Sequence, residues 1–191
     1  MRGMRSTGVI GGVVRTSVVA GLMVSGIMLA QAPPAAPAAS APTGPAAEVQ
    51  AAYGRVKPNI VKAADRMPAE NYFYKPTEDI RTFARVVNHV TEAQLHVCGA
   101  INQLTADQMK PPSDTADKAT IVAALNASFA ECDKAYASIT DANLTETFSA
   151  GPVKRSRIGL LWGNVSHDNE QYATLALYLR LKGLVPPSSE K

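Results

Sequence analysis

Residues 167–188 read HDNEQYATLALYLRLKGLVPPS, and the fold is decided here. Traced back to Ser156, the positions Leu161, Val165, Asp168, Tyr172, Leu175 and Leu179 recur at steps of three and four, the period of one helix face. Ser156 is suited to cap such a helix. Gly183 supplies a residue that can take the left-handed conformation at its end, Leu184 can fold back on the last turn, and Pro186-Pro187 forbid continuation. The pattern predicts a helix over Arg157–Lys182. A helix with one apolar stripe has to bury it against other elements, so the rest of the chain must supply them.

It supplies three more helices. From Glu48 to Met67, the residues Val49, Ala52, Tyr53, Val56, Ile60, Ala63, Ala64 and Met67 keep helical spacing, with Pro58 expected to kink or loosen the first half. Pro68 closes that segment. After an aromatic loop (AENYFYKP, 69–76), Thr77 is the predicted cap of a second helix running to about Asn102. Its seam is Ile80, Phe83, Val87, Val90, Gln94, Val97 and Ile101, widened by Ala84, Thr91 and Cys98. Asp117 is the predicted cap of a third helix, ending near Thr140 and carrying Ile121, Leu125, Ser128, Cys132, Ala135 and Ile139 on one face. No stretch alternates with period two for long enough to predict a strand. The fold class is therefore all-α, a four-helix bundle with long crossover linkers at 103–116 and 141–155.

Cys98 and Cys132 both lie on core seams, which suits either a disulfide or two buried thiols. In an antiparallel hairpin of the second and third helices they would sit about 15 Å apart along the axis, whereas parallel helices reduce this to about 9 Å. Bridged Cα atoms lie only about 4.4–6.8 Å apart. The linker between these helices is long enough to run back along one of them. Linker and cysteines together favour parallel middle helices.

The N-terminal segment reads as a processing signal. Arg2, Arg5 and Arg15 precede the apolar run Val18–Leu29, and no acidic residue occurs before Glu48. That is the layout of a secretory signal peptide over 1–30, with cleavage expected after Ala30 and no stable membrane anchor thereafter. Residues 31–47 (QAPPAAPAASAPTGPAA) are Pro/Ala-rich and form an expected tether, so the folded domain spans 48–191. The expected location is exported, periplasmic or secreted. Formal charge agrees: the chain carries 19 Lys and Arg against 16 Asp and Glu, and three of those arginines lie in 1–30. The remainder is balanced, with no basic patch to bind nucleic acid.

Of three histidines, His89 begins a His-x-x-Glu pair with Glu92, and His167 another with Glu170. Residues three apart share a helix face, so two such helices meeting in a bundle can hold a divalent cation. The wheel nevertheless puts His89, Glu92 and His96 off the seam of the second helix, and His167 with Gln171 on a flank of the fourth. Solvated flanks are the simpler reading. Asp168 is odder, because a carboxylate on an apolar stripe has to be near an end, paired, or working. Neutralisation by a neighbour, or near-exposure beside Gly163, is expected of it. No G-x-S-x-G elbow, phosphate-binding glycine loop or C-x-x-C motif offers other chemistry.

Three stretches, MPAENYFYKPTEDIRTFARVVNHVTEAQ (67–94), SFAECDKAYASITDAN (128–143) and SHDNEQYATLALYLRLKGLVPPSSE (166–190), resemble the DinB-like superfamily. The resemblance implies a four-helix bundle with parallel middle helices. It also implies a divalent metal, zinc or nickel, held by one histidine of the second helix and a His-x-x-x-His pair of the fourth. Some members are thiol-dependent transferases or isomerases that use low-molecular-weight thiols. Carried onto this chain, the ligand positions are His89, His167 and Gln171. The third is a neutral carboxamide where the family has an imidazole, a poor donor for either metal, so binding is expected to be weak or absent. The expected function is a binding or structural module with an impaired metal site, with a small molecule or thiol as ligand and homodimerisation a further expectation. The alternative is a divalent-metal-dependent transferase or hydrolase centred on His89 and His167.

Overall fold

Helix α1 begins at Pro45, three residues before the expected Glu48, and runs without interruption to Arg66 (Pro45–Arg66). Pro45 stands where a helix leaves its amides unpaired anyway, so the missing N–H costs nothing there. Ala46 N–H donates to the Asp141 carboxylate at 3.0 Å, which gives the first turn an anionic partner. Pro58 lies inside the helix and does not break it. Val49, Val56, Ile60, Ala63 and Ala64 stay buried across it, and this two-sided packing overrides the local loss of one backbone bond. The computed structural model describes residues 43–190, together with Gly12. The proposed signal segment, Gly12 apart, and the tether up to residue 42 lie outside the described residues.

Helix α2 (Phe83–Asn102) starts five residues later than the Thr77 cap predicts. Thr82 is the cap, its hydroxyl accepting from Arg85 N–H at 3.1 Å. Residues 72–82 fold back instead of continuing the helix, and their carbonyls serve its first amides: Phe83 N–H donates to Tyr74 O and Ala84 N–H to Tyr72 O, at 3.0 and 2.7 Å. Ile80, assigned to the seam, is accordingly 44% exposed. Phe83, Val87, Val90, Gln94 and Ile101 are buried as expected, and Val97 only partly.

Helix α3 (Lys118–Ala137) has the predicted Asp117 cap, whose carboxylate accepts from Thr120 N–H at 2.7 Å. Among the described residues, the linker that follows holds the one departure from an all-helical reading: an antiparallel hairpin of β1 (Thr147–Ala150) and β2 (Val153–Ser156). Four-residue strands are too short for an alternating pattern to stand out. The two-residue turn is Gly151-Pro152, and Gly151 at φ 69° supplies the positive φ that such a turn requires of its first residue. Arg157 ties the hairpin to the bundle. Its guanidinium donates to Glu146 and Ser138 and lies over the Phe148 ring, 4.7 Å from the centroid.

Helix α4 (Arg157–Leu181) is capped by Ser156, which accepts from Gly159 N–H at 3.2 Å. Gly183 takes φ 73°, and Leu184 N–H donates back to Leu179 O at 2.9 Å, the expected terminus. The tail then packs on α1: Pro187 is buried, and Arg66 donates to Val185 O and Glu190.

Contacts between helices give the direction of each. Asn88 donates to Asp114 just before α3 while Asn102 donates to Glu131 near its end, so α2 and α3 are parallel. Tyr53 and Gln50 of α1 donate to Asp133 and Tyr136 O, and Lys118 donates to Asp65 O, so α1 opposes α3. Tyr136 of α3 donates to Leu161 O near the start of α4, and Tyr178 near its end donates to Arg81 O beside the start of α2. The bundle is thus up-down-down-up. Cys98 and Cys132 form a disulfide with Cα atoms 5.0 Å apart. The late start of α2 explains the fit: Cys98 is its sixteenth residue and Cys132 the fifteenth of α3, so no axial mismatch is left.

Candidate metal site

The flank of α4 assigned to solvent is covered instead. Because α4 packs against both α1 and α2, Leu160, Asn164, Gln171 and Tyr178 are buried along with the seam, and His167 is half-buried. His89 reaches this flank from α2. Its Nε2 faces the Nε2 of His167 at 3.2 Å, with ring centroids 4.9 Å apart and planes at 74°. Two residues that the wheel left outside the core therefore meet at the edge of the α2–α4 interface.

The surroundings decide the protons. His89 Nδ1 lies 3.2 Å from Glu92 Oε2, and Glu92 is clamped by Arg85 through two bonds of 2.8 and 3.0 Å. Burial raises the Glu92 pKa, but the bonds from Arg85 and His89 outweigh it and hold the carboxyl below its usual range. An ionised Glu92 suits an Nδ1–H on His89, whose Nε2 is turned to His167. Burial, then the neighbouring His89, lower the His167 pKa; Glu170 opposes and Arg81 adds to the lowering. The shift favours the neutral imidazole of His167, whose Nε2 shares one hydrogen bond with His89 Nε2. The Nδ1 of His167 is buried without a partner.

This pair meets part of what a cation needs. With the proton between them displaced, two nitrogens 3.2 Å apart would subtend about 100° at an ion 2.0–2.1 Å from each, near tetrahedral. Glu92 backing His89 is the carboxylate–histidine support that metal ligands use. The third donor is where the fit fails. Among the described residues no group of three or more His, Cys, Asp or Glu is placed to hold a metal. Gln171 is 7% exposed, and its side-chain amide is engaged by neither histidine. One turn along α4 from His167, it lines a cavity with Glu170, Arg81 and Asp79. His96 is exposed and shares a groove with His89, Glu92 and Met109, without joining a group of three ligands. The residues present fit a two-histidine site and not a three-ligand centre.

Residues 52–175 match the family model of the DinB superfamily, a span that takes in α2, α3, both histidines and Gln171. The chain belongs to the DinB superfamily. Among solved structures it is similar to a DinB-like protein from Bacillus cereus ATCC 10987 (16% identity, TM-score 0.60), covering 73% of this chain and 93% of that one. It is also similar to the DinB-like protein YjoA from Bacillus subtilis (17% identity, TM-score 0.55), covering 71% of this chain and 92% of that one. At these identities the likeness establishes the fold alone. No curated protein matches the chain.

Beneath the His pair lies a polar layer that the sequence only hinted at. Asp168 is fully buried, not near-exposed, and no cation pairs with it among the described residues. Gln94 and Asn164 donate to its Oδ2 at 3.0 and 3.1 Å, while Oδ1 has no partner. Burial outweighs these two bonds and pushes its pKa up to about 8, so Asp168 is protonated at neutral pH. Asn164 also donates to the Tyr136 hydroxyl, at 3.3 Å, which carries the layer to α3. The signal in the sequence was the run of polar residues Gln94, Asn164 and Asp168 at seam or near-seam positions.

Proposed function

We propose that this chain is an exported binding module of the DinB superfamily whose divalent-metal site has kept two histidines and lost its third strong donor. The observation that carries the reading is the facing of His89 Nε2 and His167 Nε2 at 3.2 Å, with a carboxamide, Gln171, at the position where the family has an imidazole. Two imidazoles and a weak amide oxygen offer one strong donor fewer than a three-histidine set, so zinc or nickel would be held weakly there. Export is supported by the basic and apolar layout of residues 1–30 and by the Cys98–Cys132 bridge, a bond that persists in oxidising compartments. The test is metal content after purification in buffer containing zinc or nickel. Substoichiometric metal is expected, and one firmly held ion per chain would contradict the reading.

One observation favours a metal-dependent transferase or hydrolase as a second reading: Glu92 faces His89 Nδ1 at 3.2 Å, as the carboxylate behind a metal-ligating histidine does. A bound divalent ion would there lower the pKa of water or a thiol. His89 and His167 would hold it, Glu92 would orient His89, and Gln171 would contribute only a weak oxygen. The metal measurement separates the two readings, since this one requires stoichiometric binding.

A further inference from the structure

We infer that the cavity beside Gln171 is a binding site for a small zwitterion of amino-acid type, its carboxylate held by Arg81 and Gln171 and its ammonium by Glu170 and Asp79. This deepens the binding-module reading and does not depend on metal at the histidines.

The cavity, about 320 Å³, lies where the loop before α2 crosses the outer face of α4. Its wall carries one cation, Arg81, and two anions, Asp79 and Glu170, and none of the three makes an ion pair among the described residues. Charges of both signs left unpaired around one concavity can be satisfied together by a ligand carrying both signs, and a simple anion or cation would leave one set facing its like. Arg81 is also positioned. Tyr178 donates to its carbonyl at 2.7 Å, fixing the backbone from which the guanidinium extends, and its field is felt at His167.

Gln171 supplies the amide. It is nearly buried, yet it reaches the cavity wall, so its N–H groups are available to a carboxylate beside the Arg81 fork. Ile80, 44% exposed, and the neighbouring Val86 add an apolar surface for the rest of the ligand. The small volume suits a single residue or a molecule of that size.

The test is calorimetric titration of the mature protein, in EDTA so that metal plays no part, with leucine, N-acetyl-leucine and leucinamide. Saturable leucine binding is expected, with each singly charged analogue at least tenfold weaker. Arg81→Gln should weaken leucine at least tenfold. Glu170→Gln should erase the preference of the site for leucine over N-acetyl-leucine. Both side chains are exposed, and an unchanged melting temperature will show that each variant is folded. No saturable leucine binding up to about 10 mM, equal binding of leucine and N-acetyl-leucine by the native protein, or leucine binding unaffected by Arg81→Gln would each overturn the assignment. None of these outcomes bears on metal content, so failure here is distinguishable from failure of the metal reading.

Discussion

Asp168 shows how much one residue can set. Its carboxyl is protonated in the fold up to about pH 8, whereas the unfolded chain releases that proton near its ordinary value of 3.8. Between these values the native state binds more protons than the unfolded one, so stability falls as pH rises, by up to about 1.4 kcal/mol per unit. His167 works in the opposite sense: its depressed pKa costs stability as pH falls through the unfolded value of 6.5. The contribution of Asp168 is therefore isolated by difference. Asp168→Asn keeps an oxygen to accept from Gln94 and Asn164 and removes the ionisation. In urea denaturation the variant should gain on the native protein steadily from pH 4 to 8, and a constant difference would show that Asp168 is not neutral in the fold. At the histidine pair, His167→Ala should cost little stability, since a half-buried imidazole with an orphan nitrogen contributes little net bonding. A urea midpoint within the equivalent of about 1 kcal/mol of native is expected.

At the scale of elements, the disulfide between α2 and α3 is the strongest local constraint. It closes a loop of 34 residues, and in the chain-entropy picture its removal costs about 3–4 kcal/mol. Replacing both cysteines by alanine should lower stability by that amount with helicity intact; an unchanged urea midpoint would show that the bridge is not formed. Arg157 plays the matching part for the linker before α4, where it is nearly buried against Glu146, Ser138 and Phe148. Arg157→Ala should open Thr147–Ser156 to proteolysis while α1 to α3 stay protected.

Most of this was legible in the sequence. Asp117, Ser156 and Gly183 mark their helix ends because caps are local chemistry, and the parallel course of α2 and α3 follows from a long linker and two cysteines. The start of α2 was not legible. Thr77 is as good a cap as Thr82, and the choice is made by the carbonyls of Tyr72 and Tyr74, which reach the first amides of α2 only once residues 72–82 have folded back. The site was half legible for a similar reason. His89 and His167 have the right spacing, but their meeting depends on α4 burying two faces rather than one, which a single-stripe reading of the wheel does not contain.

For the whole molecule, a bundle pinned by a disulfide and sealed by its C-terminal tail holds two histidines together at its edge. Among the described residues no helix is long and apolar enough to cross a membrane. Mass spectrometry of protein recovered from the periplasm or medium should find the chain beginning at Gln31, and retention of residues 1–30 would contradict export by cleavage. The most direct test of the account is a zinc titration of three proteins: native, Gln171→His and His167→Ala. The native protein should bind weakly, Gln171→His at least tenfold more tightly, a gain of about 1.4 kcal/mol, and His167→Ala not at all. Tight, stoichiometric zinc on the native protein, unimproved by Gln171→His, would contradict the claim that the third donor is what this site lacks.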